Sequence, residues 1–293
     1  MSARPRPHRL SLIIADVDGT LVDENKILTE RAAAAVRALR QRGVLFAVTS
    51  GRPPRGMAML VQPLSLDTAI AGFNGGIFVK PDLSIIAEKI LPRSVADQAV
   101  QIILEHGLDP WIYAGNDWLI RKTDAPHVAR EAWTVKFEPT ITDDLSRGFD
   151  RAAKVVGVSD DFERVATCET ALQARLGAQA SAARSQPYYV DVTHPEANKG
   201  FVVEYFSREL SIPAGEIATI GDMPNDVLMF RKSGFSIAMG NASEEVQSQA
   251  DAVTASYNDD GFAKAVERYL LGENGSQGGG IAKIADGAEG AGR

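Results

Sequence analysis

The sequence contains a single cysteine, Cys168. One thiol excludes an intrachain disulfide framework, and such sparse use of cysteine fits a reducing compartment. Long apolar runs are also lacking, so no segment is typical of a membrane span. The apolar run that follows the basic residues 1–8 is too short for a signal peptide, and Asp16 interrupts it. We therefore expect a cytoplasmic protein with no membrane partner.

Positive charge is in short supply, with 31 Lys and Arg against 38 Asp and Glu and a formal net charge of -7. This balance argues against a nucleic-acid partner, because affinity for phosphate backbones depends on basic contacts. An acidic protein that binds an anion needs a local positive centre, which a divalent cation can supply. The 45% apolar and 24% charged residues are typical of a globular protein, and 293 residues suffice for two domains.

The first informative segment is residues 16–20, which read DVDGT directly after the apolar run at residues 10–15. Two carboxylates therefore stand where a buried strand ends and a turn begins. Asp16 has the chemistry to attack phosphorus and form an aspartyl-phosphate, and Asp18 to move protons on the leaving oxygen and on water. An Asp-Gly pair alone more often marks an ordinary turn. Its placement after the strand favours phosphoryl transfer.

The pattern around this segment predicts a parallel sheet with crossover helices. It indicates helices at 29–42, 199–209 and 262–271, and strands at 44–49, 67–73, 217–220 and 235–239. These elements define a discontinuous core domain made of residues 1–80 and 196–271. Open α/β sheets bind ligands at the carboxyl ends of their strands, where the polar segments of this chain recur.

Residues 81–195 follow a different pattern, which predicts a separate α+β unit inserted as a cap. Its expected strands are 83–90, 111–113, 118–120, 152–157 and 188–192, and its expected helices are 94–106 and 162–176. Residues 111–120 favour a hairpin. The Gly- and Ala-rich tail at 272–293 is predicted to be flexible, because it has few large side chains to bury.

A second polar segment, GDMPND at residues 221–226, follows the strand predicted at 217–220. On its own such a segment is more often a loop cap. Together with the first segment it predicts a Mg²⁺ site, since Mg²⁺ prefers oxygen ligands. The expected ligands are Asp16, Asp222 and the backbone carbonyl of Asp18. Asp226 would bind the ion or support the residues that do.

Four further positions suit a phosphate group. Ser50 offers a hydroxyl group, and Gly51 leaves backbone N–H groups accessible. Arg52 is equally compatible with binding phosphate and with bridging core acids. Lys199, at the start of a predicted helix, can act as a point charge, although an isolated lysine is usually solvated.

The order of these motifs resembles the haloacid dehalogenase superfamily. The motifs, in order, are DVDGT, SGR at 50–52, NGG at 74–76, NKG at 198–200 and GDMPND, and a long insertion separates NGG from NKG. An insertion after NGG is similar to the Cof-type phosphatase branch, which implies a Rossmann-like parallel-sheet hydrolase core with an inserted α+β cap. The resemblance implies that the nucleophile is Asp16, the general acid/base Asp18 and the charge-stabilising lysine Lys199. The implied substrate-binding residues are Ser50, Gly51, Arg52, Asn74, Gly75 and Asn225, and the implied metal-binding residues are Asp16, Asp18, Asp222 and Asp226. The 74–76 segment is also compatible with a simple turn.

We expect a Mg²⁺-dependent phosphatase of a small phosphorylated metabolite, either a sugar phosphate or a phosphorylated cofactor. A sugar phosphomutase uses similar motifs and stays open, as does a catalytically silent regulator. The chain is expected to be a monomer or a homodimer. Five cap aromatics have the chemistry to stack on a substrate ring or to fill the core, namely Trp111, Tyr113, Trp118, Tyr188 and Tyr189. His194 and Glu196 are further candidates for facing the site.

Overall fold

The computed structural model describes residue 4, residue 7 and residues 9–272, so most of the predicted tail lies outside the described residues. The strands in this part of the chain are β1 (Leu12–Asp16), β2 (Leu45–Thr49), β3 (Ile70–Gly72), β4 (Ile77–Val79), β5 (Ile85–Glu88), β6 (Asp109–Ala114), β7 (Asp117–Ile120), β8 (Thr140–Ile141), β9 (Ala152–Val158), β10 (Ser181–Gln186), β11 (Tyr189–Thr193), β12 (Ile217–Gly221), β13 (Phe235–Ala238) and β14 (Ala252–Val253).

The α-helices are α1 (Glu30–Gln41), α2 (Val61–Leu64), α3 (Arg93–Glu105), α4 (Val128–Val135), α5 (Phe162–Leu176), α6 (Lys199–Glu209), α7 (Val227–Lys232), α8 (Glu244–Gln247) and α9 (Gly261–Ala265). A π-helical turn at Val266–Leu270 continues α9. Three of the longer helices begin at side-chain caps: Thr29 accepts a hydrogen bond from Ala32 N, Asp161 from Arg164 N and Asn198 from Phe201 N. Such caps satisfy N–H groups that the helix itself leaves free.

The large sheet has the strand order β14-β13-β12-β1-β2-β3-β4-β5. The strands from β14 to β3 are parallel, and β4 pairs antiparallel with both β3 and β5. Side chains of β1 alternate between two cores: Leu12 and Ile14 pack against the side of α6 and α7, whereas Ile13 and Ala15 pack against the side of α1 and α9. Burial on both faces explains why β1 is apolar without a break until Asp16.

The small sheet has the order β10-β11-β9-β6-β7-β8 and is antiparallel except between β7 and β8. Helices α3 and α5 cover one face, where Ile112 packs among their side chains. On the other face, Trp111 and Tyr113 belong to the same hydrophobic cluster as the large-sheet residue Phe73. The small sheet therefore turns its aromatic face towards the large-sheet domain.

The two sheets and their helices confirm the predicted class, an α/β core with a parallel sheet and an inserted α+β cap. Helices α5 and α6 have the predicted bounds, and the hairpin of β6 and β7 is present. The extended segment expected at the start of the cap differs, because β5 pairs with β4 in the large sheet. The sequence pattern shows that such a segment is extended but not which sheet completes its hydrogen bonds. The first helix of the cap, α3, thus begins at Arg93, twelve residues after the boundary predicted at residue 81.

Two chain segments connect the cap to the core, one between β5 and α3 and one between β11 and α6. An ion pair between Lys89 and Glu196 links them. His194 lies in the second segment, where its Nδ1 accepts a hydrogen bond from Glu196 N. Neither His194 nor Glu196 lines the central cavity described below. Among the helices of the described residues, none is long and apolar enough to cross a membrane.

Candidate active site

Asp16, the last residue of β1, lies at the centre of a buried charge cluster. Lys199, the first residue of α6, has Nζ 2.5 Å from Asp16 Oδ1 and 2.5 Å from Asp226 Oδ1. All three side chains are almost completely buried. The sheet brings them together because β1 and β12 are parallel neighbours whose carboxyl ends lie at the same edge. We call this the carboxyl edge, formed by the ends of β1, β2, β3 and β12.

The charged groups in this cluster shift one another's pKa values. Burial raises the pKa of Asp16 well above its usual value, and Asp226 and Asp222 raise it further, while Lys199 opposes them. Burial alone would lower the pKa of Lys199, but the charges of Asp16 and Asp226 outweigh burial and raise it. Lys199 therefore remains an ammonium ion, which is the form that can neutralise a carboxylate and a phosphate together.

Asp226 holds the loop after β12 in place. Its Oδ2 accepts hydrogen bonds from the backbone N–H groups of Asp222 (2.9 Å) and Met223 (2.8 Å). Gly221 is required for this arrangement, since a Cβ atom there would lie 2.3 Å from Asp226 Cγ. Both carboxylate oxygens of Asp226 are thus bonded to protein groups. This pattern favours a role in positioning Lys199 and Asp222.

Asp222 faces the first motif across the carboxyl edge. Its Oδ1 accepts from Thr20 Oγ1 at 3.3 Å, and its Oδ2 accepts from Asn241 Nδ2 at 3.0 Å. Burial and the charge of Asp226 raise the pKa of Asp222 to about 6. Gly19 has a φ of +78°, and a Cβ there would lie 2.4 Å from Asp222 Oδ2, so this turn requires glycine.

Asn241 is a site residue that the sequence analysis missed. Besides Asp222, its Nδ2 also donates to Gly19 O at 3.0 Å, so it joins the two acidic loops. Asn241 follows the end of β13, the strand next to β12 in the sheet. The sequence carried one signal for this residue, because Asn241 is another polar residue shortly after a buried strand of the parallel sheet.

Asp16, Asp222 and Asp226 form a group that could hold a metal ion, with one carboxylate oxygen from each lying within 4.8 Å of the others. Asp16 Oδ2 is buried and has no hydrogen-bond partner in the described part of the chain. An unpartnered carboxylate oxygen beside two further carboxylates is suited to a hard cation such as Mg²⁺. The side chain of Asp18 is not in this group.

Asp18 instead points towards two cations. Arg52 donates a hydrogen bond to each oxygen of the Asp18 carboxylate, from Nε to Oδ2 at 2.7 Å and from Nη2 to Oδ1 at 2.6 Å. Lys26, another residue that the sequence analysis missed, places Nζ 2.7 Å from Oδ1. Although burial acts to raise the pKa of Asp18, the hydrogen bonds and charge of Arg52, and then Lys26, lower it. Of the two open interpretations of Arg52, the structure favours bridging an acid.

The remaining predicted phosphate-binding residues follow the ends of β2, β3 and β12. Ser50, Gly51, Asn74 and Asn225 line the same cavity as Asp16. Asn225 Nδ2 donates to Asn74 Oδ1 at 3.1 Å. Gly75 does not line this cavity: its N–H donates to Gly72 O, and a Cβ would lie 2.8 Å from Val202 Cγ2. Its position supports close packing of the turn on α6.

The cavity has a volume of about 380 Å³ and lies between the carboxyl edge and the cap. Of the five cap aromatics, Tyr188 and Tyr189 line it, whereas Trp111, Tyr113 and Trp118 are buried in the core. The cap residues that line it are Arg130, Glu131, Trp133, Thr134, Val135, Lys154, Ser185, Gln186, Tyr188, Tyr189 and Asp191. A concave site of this size with converging polar groups is suited to a small ligand.

Known proteins share this architecture. The family model described as haloacid dehalogenase-like hydrolase matches residues 13–266. A 5-amino-6-(5-phospho-D-ribitylamino)uracil phosphatase of Bacillus subtilis is 24% identical over 273 residues, covering 92% of this chain and 100% of that protein. The HMP-PP phosphatase of Cronobacter sakazakii is 27% identical over 231 residues, covering 78% of this chain and 83% of the relative.

A crystal structure of a haloacid dehalogenase-like hydrolase from Bacteroides thetaiotaomicron matches the fold with a TM-score of 0.83 at 28% identity. The match covers 89% of this chain and 99% of that one. Because the family model spans most of the sequence and the fold agrees along it, the chain belongs to the haloacid dehalogenase-like hydrolases, in their Cof-type phosphatase branch, and is a phosphoric monoester hydrolase.

Proposed function

We propose that the chain hydrolyses the phosphate ester of a small metabolite, with Asp16 as nucleophile and Mg²⁺ as cofactor. The observation that carries the proposal is the state of Asp16. One carboxylate oxygen is bonded to the buried Lys199, and the other is buried beside Asp222 and Asp226 with no hydrogen-bond partner among the described residues. A carboxylate held in this way is oriented while one oxygen remains available, and Lys199 opposes the rise in its pKa.

The proposed reaction takes two displacements. In the first, a carboxylate oxygen of Asp16 bonds to phosphorus, the bond from phosphorus to the leaving oxygen breaks, and Asp18 gives that oxygen a proton. In the second, Asp18 takes a proton from water, the water oxygen bonds to phosphorus, and the carboxylate of Asp16 leaves. Lys199 holds the nucleophile and balances charge, while Ser50 and Asn225 contact phosphate oxygens.

The proposed Mg²⁺ ligands are Asp16, Asp222 and the backbone carbonyl of Asp18, with Asp226 holding the loop that carries Asp222. The ion supplies positive charge to the phosphate, in a site whose carboxylates outnumber its lysine. Arg52 and Lys26 favour the ionised form of Asp18, which is the form needed as general base in the second displacement. For the first displacement, Asp18 has to take up a proton before it can give one to the leaving oxygen.

The substrate class follows from cavity size and from the relatives. A cavity of about 380 Å³ suits a sugar phosphate or a phosphorylated cofactor. Two relatives are named for a phosphorylated ribitylaminouracil and for HMP-PP, which are small phosphorylated compounds. We place the reaction in the cytoplasm, which agrees with a lone, buried cysteine, and on a monomer or a homodimer.

The test is phosphate release from a panel of phosphorylated sugars and cofactors, with Mg²⁺ and with EDTA. Wild type is expected to release phosphate only with Mg²⁺, and Asp16→Asn to lose at least about 10³-fold in rate, because an amide is a poor nucleophile. Asp143→Asn, an exposed residue outside the cavity, is the matched control and should behave as wild type.

Each alternative has its own result in this assay. Full activity of Asp16→Asn would exclude the assigned nucleophile, and release that persists in EDTA would exclude the metal requirement. An isomerised sugar phosphate without phosphate release would indicate the phosphomutase.

A further inference from the structure

The cavity has a second wall, which belongs to the cap and contains none of the motifs. We define the cap wall as four of the lining residues: Glu131 of α4, Lys154 of β9, and Tyr189 and Asp191 of β11. Strands β9 and β11 are paired neighbours in the small sheet. Because side chains two positions apart on a strand share a face, Tyr189 and Asp191 both face the aromatic side of the sheet.

Two polar atoms of the cap wall are buried and have no hydrogen-bond partner among the described residues. They are the hydroxyl oxygen of Tyr189 and Oδ1 of Asp191. Tyr189 itself is 9% exposed. Leaving such a group unpaired is unfavourable, so a pair of them at a cavity indicates that a ligand completes their bonds.

The rest of the wall holds these two atoms in place. Lys154 Nζ lies 3.2 Å from Asp191 Oδ2, so it fixes the carboxylate while leaving Oδ1 open. Tyr113 donates its hydroxyl hydrogen to Glu131 Oε1 at 2.5 Å. The two open atoms therefore belong to side chains whose neighbours are already positioned, as expected of a preformed binding surface.

The charge of the wall restricts what it can bind. Lys154 is the one cation among its four residues, against the carboxylates of Glu131 and Asp191. Burial, followed by the negative charge of Glu131, raises the pKa of Tyr189, so its phenol remains protonated. A second phosphate placed here would meet the carboxylate of Asp191 and the acidic side chain of Glu131, whose pKa burial raises, while the one lysine is already paired with Asp191. Arg130 also lines the cavity, but it is an exposed residue.

We propose that Tyr189 and Asp191 determine specificity by binding the leaving group, and that they select an uncharged leaving group with neighbouring hydroxyls. A hydroxyl can donate to Asp191 Oδ1, and a second can exchange hydrogen bonds with the Tyr189 hydroxyl. An ammonium group would leave the Tyr189 proton unpaired. This inference rests on the proposed phosphatase function, because the same cavity must hold the phosphate at Asp16.

Tyr189→Phe tests the proposal with two six-carbon esters, sorbitol 6-phosphate and n-hexyl phosphate. Sorbitol presents hydroxyls to the wall and the hexyl chain presents none. The variant is expected to lose about tenfold in kcat/KM for the sorbitol ester, roughly one hydrogen bond, and less than about twofold for the hexyl ester. Its Tm should not fall, because the removed hydroxyl makes no hydrogen bond within the part of the chain that the structure describes.

Tyr205→Phe is the matched control. Tyr205 is also a buried tyrosine, but it lies in α6 against the core and does not line the cavity, so neither ester should change. Equal losses on both esters in Tyr189→Phe would overturn the proposal, and so would wild-type preference for the hexyl ester.

Asp191→Asn tests separately whether the charge of the wall determines what it binds. Wild type is expected to favour fructose 6-phosphate over fructose 1,6-bisphosphate, and the substitution to reduce that preference by about fivefold, because it removes one negative charge. If wild type instead prefers the bisphosphate, Arg130 at the exposed side of the cavity binds a second phosphate. That result would refute the proposal that the wall selects an uncharged leaving group.

Failure of the proposed function gives a different result from failure of this inference. If no ester is hydrolysed, including p-nitrophenyl phosphate, the phosphatase proposal fails, and calorimetric binding of the two six-carbon esters then tests the wall directly. Tighter binding of sorbitol 6-phosphate that Tyr189→Phe abolishes would support the wall. Equal binding of both esters would refute it.

Discussion

The carboxyl edge and the cap wall enclose one cavity but are built in different ways. At the edge, the charged groups are joined to one another, since Lys199 bridges two aspartates and Asn241 connects both acidic loops, and the open oxygen Asp16 Oδ2 lies beside the proposed metal ligands. On the wall, Tyr189 and Asp191 keep open atoms. The edge is thus organised before any ligand arrives, as catalysis by fixed charges requires, whereas the wall is completed by the ligand.

This difference predicts two kinds of mutational effect. A change at the edge acts on the phosphate, which all substrates share, so every ester should be affected alike. A change at the wall acts on the leaving group, so esters should be affected selectively. Comparing the rates of hydrolysis of the sorbitol and hexyl esters across variants therefore shows whether a residue acts at the edge or at the wall.

The largest effect is expected for Lys199→Met, which removes the positive charge between two buried carboxylates. The rate should fall by about 10³-fold for both six-carbon esters, because the same electrostatic contact is lost in each case. In EDTA the free energy of unfolding should fall by roughly 3–5 kcal/mol, as measured by urea denaturation. Lys80→Met, at an exposed position, is the control. A selective loss on one ester would break the comparison.

A smaller effect is expected for Gly221→Ala, which places a methyl group against Asp226. The loop that carries Asp222 must shift, so the free energy of unfolding should fall by about 1–3 kcal/mol and the rate on both esters should decrease together. Gly215→Ala provides the match, because a Cβ there meets no atom within 4 Å. An unchanged Tm for Gly221→Ala would contradict the geometry of this loop.

The smallest effect is expected for Asn241→Ala, which removes the amide that connects Asp222 to Gly19 O. The proposed metal ligand loses an orienting bond, so the Mg²⁺ concentration for half-maximal rate should rise by about tenfold or more, equally for both esters. Asn258→Ala, an exposed residue, serves as reference. An unchanged Mg²⁺ requirement would show that Asn241 only closes the loop.

How far the sequence predicts the site depends on where each residue stands in the chain. Residues at the ends of parallel strands can be assigned to one edge from pattern alone, and Asp16, Ser50, Asp222 and Asp226 are at that edge. Lys26 and Asn241 stand outside the motifs, and their roles come from contacts across the fold. Gly75 lay within a motif, yet its N–H group is bonded inside its own turn.

The sequence by itself determined the α/β class and the inserted cap, and it predicted which acidic residues lie at the carboxyl edge. These features are local: apolar runs define strands, and each polar motif follows its strand directly. Only the tertiary structure decided that β5 completes the large sheet, that Arg52 pairs with Asp18, and which cap aromatics reach the cavity. Each depends on which distant side chain or strand supplies the partner, and residue spacing along the chain carries no information about that choice.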